Sequence, residues 1–352
     1  MPLTNFGQSD VVYFQNNDGD FSKAVIDEKI AEPSTGLGVL VTDFDGDRIN
    51  EIFVANDART NHFLRFDTSS GRFWNQAASR GLAVGFSGVA NACMGIATGD
   101  FDRNRRVDMH VTNYSTESVN LYLQDTSGSY CDSATRLGLE VSSKPMVGFG
   151  TKAIDLNRDG WLDVIATNGH VFDRTEHGEE FRMPGQIFLS RGSNFVEVGI
   201  GDGSTLNQHR LTSPALGRAM TKVDFDRDLD SDLVVNYLDR RVSIFENRSL
   251  SSGQVVHVRL IGVTSERDAV GAAATLQTSD GSFTRWVTAG DGYMSSDDPI
   301  LEFTIPNQAE VGPLEIRWPS GKLTRHEMIE QNCLYLAAEN ETELWKLIDL
   351  NR

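Results

Sequence analysis

Cysteine is scarce. Cys93, Cys131 and Cys333 are the only three in 352 residues, so no disulfide framework holds the chain and no CxxC pair offers a zinc site. Buried free thiols are the expected state, with a Cys93–Cys131 bridge as the alternative. Long apolar runs are missing as well: no stretch approaches the roughly 20 apolar residues of a membrane helix. The opening MPLTNFGQSD lacks the basic and apolar regions of a signal peptide, which leaves two expectations, a leader already removed or a cytoplasmic chain. Basic residues are outnumbered, 32 Lys and Arg against 50 Asp and Glu, for a formal charge of −18. Such a surface does not attract nucleic acid or anionic lipid. Catalytic signatures are lacking too. GxSxG, Walker A and HExxH do not occur, and HEMIE from His326 has no second His. GLGVLV from Gly36 reads as a strand and not as a dinucleotide-binding turn.

What the chain has instead is a repeated acidic stretch. DFDGDRINE from Asp43 returns as DFDRNRRVD from Asp100, DLNRDGWLD from Asp155 and DFDRDLDSD from Asp224, with starts 57, 55 and 69 residues apart. The last gap is widened by the polar insertion FDRTEHGEEFR from Phe172. Each copy lies between short runs rich in Val, Ile and Thr, such as GVLVT before it and IFVAN after it. These runs are too short for helices, so each acidic stretch is the turn of a β-hairpin. A softer repeat lies between the acidic turns: VYFQNNDGDF, FLRFDTSSGRF, LYLQDTSGSY and IFLSRGSNF, with SIFEN from Ser243 as a half copy. Four short strands per unit predict an all-β propeller, because one small sheet covers neither of its faces and packs on its neighbours in a ring. The acidic turns then project from one rim. Four complete blades and half-blades at residues 12 to 22 and 243 to 247 predict a ring of about five, the terminal halves joining to close it; the alternative is that N-terminal blades are missing or unrecognisable.

The turns carry oxygen donors at alternate positions. Positions 1, 3, 5 and 9 give Asp43, Asp45, Asp47 and Glu51; Asp100, Asp102, Asn104 and Asp108; Asp155, Asn157, Asp159 and Asp163; Asp224, Asp226, Asp228 and Asp232. Position 7, namely Ile49, Arg106, Trp161 and Asp230, is free to offer a main-chain carbonyl. Crowded carboxylates repel one another unless a cation sits among them. An all-oxygen, flexible shell suits Ca²⁺ better than Mg²⁺, and the absence of His and Cys disfavours zinc and copper. Up to four Ca²⁺ ions are therefore expected as cofactors. The turn at Asp155–Asp163 is the expected best site, since only it has glycine, Gly160, at the sixth position where a left-handed bend is anticipated. Arg103, Arg105 and Arg106 weaken the second. The bland alternative is a set of solvated acidic turns.

These motifs resemble the FG-GAP/VCBS-repeat propellers that end in an ASPIC/UnbV domain, the cartilage acidic protein-like family. The resemblance rests on MGIATGDFD from Met94, NGHV from Asn168, SERDAVGA from Ser265, GDGYMSSDDPILEF from Gly290 and RWPSGK from Arg317. The acidic repeat by itself is shared with integrin α-chain propellers. The family resemblance implies a seven-bladed calcium-binding propeller, of which residues 1–248 are a shortened form or a part, and a small β-domain over 254–340, with 341–352 as a tail or short helix around ENETELWKL. SLSSG from Ser249 is the linker. Within the β-domain, short runs at 255–262, 272–278, 283–288, 300–305, 313–318 and 333–338 read as strands.

Two functions follow. One is a calcium-stiffened binding protein that engages a protein or carbohydrate ligand. The other is an enzyme of specialised metabolism, cyclase- or isomerase-like, suggested by the UnbV resemblance and needing a deep pocket near His170 or Tyr293. His170 is the candidate proton-transfer group, weighed against a structural role. Arg267, Asp268, Tyr293, Ser295 and Asp297 are candidates for a polar pocket, or ordinary surface turns. Weak calcium turns fill outside the cytosol, which points to an extracellular or periplasmic location.

Overall fold

Strand-forming runs cut by tight turns fold as read, into an all-β chain that a computed structural model describes for residues 7–16, 18–26, 33–198, 210–249, 253–306 and 308–351. An N-terminal hairpin, β1 (Tyr13–Gln15) and β2 (Phe21–Lys23), precedes the short β3 (Val25–Ile26). The first blade is β4 (Gly36–Thr42), β5 (Glu51–Asn56), β6 (His62–Asp67) and β7 (Arg72–Asn75). The second is β8 (Ile96–Gly99), β9 (Asp108–Val111), β10 (Asn120–Gln124) and β11 (Tyr130–Asp132). The third is β12 (Gly148–Ile154), β13 (Asp163–Asn168), β14 (Gln186–Ser190) and β15 (Phe195–Glu197). The fourth has three strands, β16 (Gly217–Val223), β17 (Asp232–Tyr237) and β18 (Ser243–Phe245). Within each blade the strands run antiparallel in chain order. Every acidic stretch joins the first strand of a blade to its second, as the repeat predicts.

Neighbouring blades meet through their first strands and an apolar layer. Phe53, Ile96, Met109 and Tyr122 bridge blades one and two; Phe101, Leu121, Leu162 and Phe188 bridge two and three; Ile165, Met220 and Val235 bridge three and four. Glycine sets the spacing. A Cβ at Gly38 would stand 2.5 Å from the carbonyl oxygen of Met94, and one at Gly95 would stand 2.0 Å from that of Phe149. Any side chain there would push adjacent blades apart.

The C-terminal unit is a sandwich of two four-stranded sheets. It is built from β19 (Gln254–Ile261), β20 (Ala273–Thr278), β21 (Gly281–Trp286), β23 (Ile300–Ile305), β24 (Val311–Arg317), β25 (Leu323–His326), β26 (Cys333–Ala338) and β27 (Leu344–Asp349), while β22 (Ala289–Gly290) follows β21 in the chain and belongs to neither sheet. The sheets have orders β23-β19-β26-β27 and β21-β20-β24-β25 and close on Val256, Val258, Leu276, Phe303, Ile316 and Trp318. Burying such side chains contributes about 1.5–3 kcal/mol each. Trp318 fills this core while the following Pro-Ser-Gly makes the hairpin turn into β25, so RWPSGK is structural there.

Three expectations change. ENETELWKL forms no helix: residues 344–349 are β27, an edge strand paired with β26, with Leu344 packed on the sandwich core. Pairing with an open sheet edge outweighs a helical preference too short to stand alone. The terminal half-blades do not join, because β1 pairs with β2 and β18 with β17 alone among the described residues. Instead β22 leaves the sandwich and adds to the first blade, Ala289 opposite Val41 and Gly290 opposite Leu40. The three thiols are free, yet Cys131 is exposed while Cys93 and Cys333 are buried. The linker residues 250–252 lie outside the described residues.

Candidate functional site

The four acidic turns share one hydrogen-bond scheme. The ninth-position carboxylate accepts from the N–H of the second residue: Phe44 to Glu51 at 3.0 Å, Phe101 to Asp108 at 2.8 Å, Leu156 to Asp163 at 3.0 Å, and Phe225 to Asp232 at 2.9 Å. The first carboxylate accepts from the N–H of the sixth residue: Arg48 to Asp43, Arg105 to Asp100, Gly160 to Asp155, Leu229 to Asp224. The anticipated left-handed bend at position six is present in all four, with φ of 76° at Arg48, 65° at Arg105, 88° at Gly160 and 63° at Leu229. Glycine is thus one of several residues bearing that conformation here, at a cost of about 1–2 kcal/mol where a Cβ is present.

The scheme draws carboxylates together. One oxygen each from Asp43, Asp45 and Glu51 lies within 4.8 Å of the others, and so do oxygens of Asp100, Asp102 and Asp108, and of Asp224, Asp226 and Asp232. In the third turn Asn157 replaces one carboxylate, and both oxygens of Asp155 accept backbone N–H groups, from Asp159 and Gly160. Buried oxygens with no hydrogen-bond partner among the described residues remain in the other three: Asp45 Oδ1, Glu51 Oε1, Asp100 Oδ1, Asp224 Oδ1 and Asp230 Oδ1. Burial, then the charge of Asp45, pushes the Glu51 carboxyl up to about 8. Burial likewise pushes Asp163 up to about 8 and Asp100 and Asp155 up to about 6, while burial and then Asp228 push Asp230 up to about 7. Buried acceptors without donors and carboxylates forced towards neutrality are the pattern that a hard cation relieves.

The turns differ in the cations the chain already supplies. Arg65 lies 2.5 Å from Asp47 Oδ2 and 3.4 Å from Asp45 Oδ2, and Arg80 lies 3.0 Å from the latter. Arg317 Nη1 adds a contact of 2.7 Å to Asp43 Oδ2 from the sandwich. The first turn is thereby largely neutralised by three guanidinium groups. In the second turn Arg103 faces away from its own carboxylates: it donates to the carbonyls of Gly160 and Asp159 and stacks over Trp161 at 3.9 Å. In the fourth, Asp224, Asp226, Asp228 and Asp232 have no ion pair among the described residues, and Asp230 meets only Arg158, at 3.8 Å. A further acidic group, Glu330, Cys333 and Asp349, has both carboxylates bound to Lys346.

The sandwich covers this rim. Asn50 in the first turn donates to Val270 O at 3.1 Å, the ring of Phe283 lies under Arg103 of the second, Gly160 of the third faces Pro306, and Leu229 of the fourth packs with Val255 and Leu334. From there residues 289–297 cross the first strands of all four blades. Gly292 bridges Ile96, Tyr293 sits edge-on to Phe149 at 4.9 Å, and Ser295 donates to Met220 O at 2.7 Å. Lys152, 1% exposed, reaches both Asp291 and Asp297. Against a burial penalty that favours the neutral acid, Lys152 and Lys222 hold Asp297 below its usual range.

His170 lies apart from any cavity wall described. Its Nδ1 accepts from the Phe172 N–H at 3.0 Å, which leaves the proton on Nε2, 2.9 Å from Tyr114 Oη and 3.3 Å from Glu179 Oε2. A ring so fixed is a structural bracket for the insertion that follows. Of the five polar-pocket candidates, Asp268 and Asp297 line a chamber of about 320 Å³ between propeller and sandwich, and Arg267, Tyr293 and Ser295 do not. Sequence reasoning missed Lys152, Lys222, His257 and Glu302. The alternation in VVHVRL from Val255 was the available signal, since it places His257 on the face opposite Val256 and Val258.

Known proteins show the same two parts. Residues 43–111 match the FG-GAP-like repeat family, and residues 262–344 match the family described as ASPIC and UnbV. The chain is 26% identical over 313 residues to cartilage acidic protein 1 of Xenopus tropicalis, covering 84% of this chain and 43% of that protein. It is 24% identical over 337 residues to the Homo sapiens protein, covering 91% and 47%. It therefore spans less than half the length of these curated relatives. Among solved structures it is similar to the BP39L lectin of Burkholderia pseudomallei, 11% identical with a TM-score of 0.37, covering 93% of this chain and 96% of that one. It is also similar to an Agrocybe aegerita lectin that recognises non-reducing terminal N-acetylglucosamine, 16% identical with a TM-score of 0.34, covering 70% and 63%. No helix among the described residues is long and apolar enough to cross a membrane. The chain is thus an all-β protein of propeller-like blades that matches the FG-GAP-like repeat family at residues 43–111 and the ASPIC and UnbV family at residues 262–344.

Proposed function

We propose that the protein is a calcium-stiffened binding module, working outside the cytosol, that engages a protein or carbohydrate ligand. The observation that carries this reading is the set of buried carboxylate oxygens left without hydrogen-bond partners within three of the acidic turns, each of which gathers three carboxylates of its own. A hard divalent ion held by Asp224, Asp226, Asp228 and Asp232, and by Asp100, Asp102, Asn104 and Asp108, would supply the missing positive charge. The fourth turn is the strongest candidate, the second follows, and the first competes with its arginines. In the third, Asp155, Asn157, Asp159 and Asp163 offer a site of lower charge.

Calcium would then act on stability and on domain placement together, because the sandwich rests on the same turns. An ion that binds only the folded state at a hundred times its Kd stabilises it by about 2.7 kcal/mol. Thermal melting with calcium and with chelator tests this: a higher melting temperature in calcium, reduced by Asp232→Asn, is expected. Equal melting in both solutions would overturn the reading. Location follows from affinity, since turns of this kind fill at the millimolar calcium of extracellular and periplasmic fluids.

A further inference from the structure

The chamber of about 320 Å³ lies where the second, third and fourth blades meet the sandwich, and neither unit encloses it alone. One wall is the outer face of β19 and β23. Because side chains alternate along a strand, Val256, Val258 and Phe303 enter the sandwich core while Val255, His257 and Glu302 face the propeller. His257 and Glu302 are direct cross-strand partners in the β19–β23 register. Glu302 is held by Lys222 of β16, Nζ to Oε1 3.4 Å, so it stays ionised and accepts hydrogen bonds. His257 is only 4% exposed, yet its ring has no hydrogen-bond partner among the described residues. Burial keeps this imidazole neutral, with its pKa lowered to about 4, so it presents one donor and one acceptor.

We propose that this chamber binds a small, neutral, polyhydroxylated molecule of monosaccharide size, with His257, Glu302 and Lys222 taking its hydroxyls and Trp286 its C–H face. Each hydroxyl both donates and accepts, which suits a wall pairing a neutral imidazole and a carboxylate with an ammonium. The apolar lining comes from Val255 and Ile300, which pack with Leu229 of the fourth turn, and from Trp286, which packs against the core of the first two blades. An anion is opposed by the seven carboxylates of the lining, against three cationic side chains. An organic cation meets Lys222, Arg158 and Arg285 inside the same walls. The volume is at the lower end of small-molecule sites, about 300–1,000 Å³.

This inference rests on the reading of the protein as a binding module and names its ligand and site. The test is ligand-observed NMR and calorimetry on the full chain in calcium. The probes are glucose, galactose, mannose and N-acetylglucosamine, with glucuronate and glucosamine as charged comparators. At least one neutral sugar is expected to bind, with affinity falling at least tenfold in His257→Leu and in Trp286→Phe. His257→Leu keeps bulk and loses no internal hydrogen bond, so it should fold and keep the wild-type calcium response of melting. No binding by any neutral sugar at tens of millimolar, tighter binding of either charged comparator, or binding indifferent to both variants each overturns the proposal. A calcium-dependent melting shift that survives such a result leaves the binding-module reading standing, whereas loss of that shift counts against the reading itself.

Discussion

Arg317 Nη1 lies 2.7 Å from Asp43 Oδ2 and 2.8 Å from Gly46 O, tying the first acidic turn to a hairpin 274 residues further along the chain. Asp43 is 2% exposed, so the guanidinium is the charge that its buried carboxylate sees from the sandwich. Replacing it, Arg317→Ala, should cost about 2 kcal/mol, the range for a hydrogen bond to a charged group, and raise protease sensitivity between the two units. Denaturant melts and limited proteolysis check this. Lysine, whose single ammonium can also donate to both acceptors served here by Nη1 alone, should restore more of the loss than any neutral residue.

The cations supplied by the chain rank the turns. Asp232→Asn, in a turn with one distant arginine, should remove a larger share of the calcium-induced rise in melting temperature than Asp47→Asn, whose carboxylate already contacts Arg65 at 2.5 Å. Parallel melts of the two variants across a calcium series decide it.

Acidity should act in an uncommon direction when calcium is withheld. Glu51 and Asp163 near 8, Asp230 near 7 and Asp100 and Asp155 near 6 all hold their protons more tightly folded than unfolded. Their contribution is therefore fully present below the ordinary carboxylate value, about 4, and is lost as pH rises through 6 to 8. His257, lowered to about 4, contributes the opposite way: its share is present above about 6.5 and lost on acidification. His110, lowered to about 3, behaves as His257 does, and neither share changes above about pH 6.5, so the raised carboxylates predict that melting in chelator falls from pH 6.5 to pH 8.5. Calcium should flatten or reverse that slope, because the ion favours the ionised carboxylates that protons compete for.

His170→Gln tests the bracket. The ring joins Tyr114, Glu179 and the Phe172 N–H, so the variant should lose about 1–3 kcal/mol through unpaired buried groups and leave the calcium response intact. Chemical denaturation with and without calcium measures both.

The repeats made the blades legible. Acidic turns flanked by Val- and Ile-rich runs report local geometry, and DFDGDRINE placed β4 and β5 within a residue or two. The relation between the units was not legible, because it depends on pairs without a local pattern. Lys152 sits in TKAI like any strand residue, yet it clasps Asp291, 139 residues away, and Thr42 accepts a place beside Val287 O across 245. Composition also does not show where the arginines of the second turn point: the fold sends Arg103 to Trp161 in the third. Residues 341–352 read as a tail or short helix, and not as the strand at 344–349, because the open edge of β26 is invisible in sequence.

Calcium titration calorimetry on the intact chain is the most direct measure of whether the acidic rim holds metal. The account predicts saturable heat at millimolar calcium or below, arising from at least the second and fourth turns, and losing its tightest component in Asp232→Asn. Absence of heat across that range, with the protein folded and chelator-treated beforehand, would contradict it.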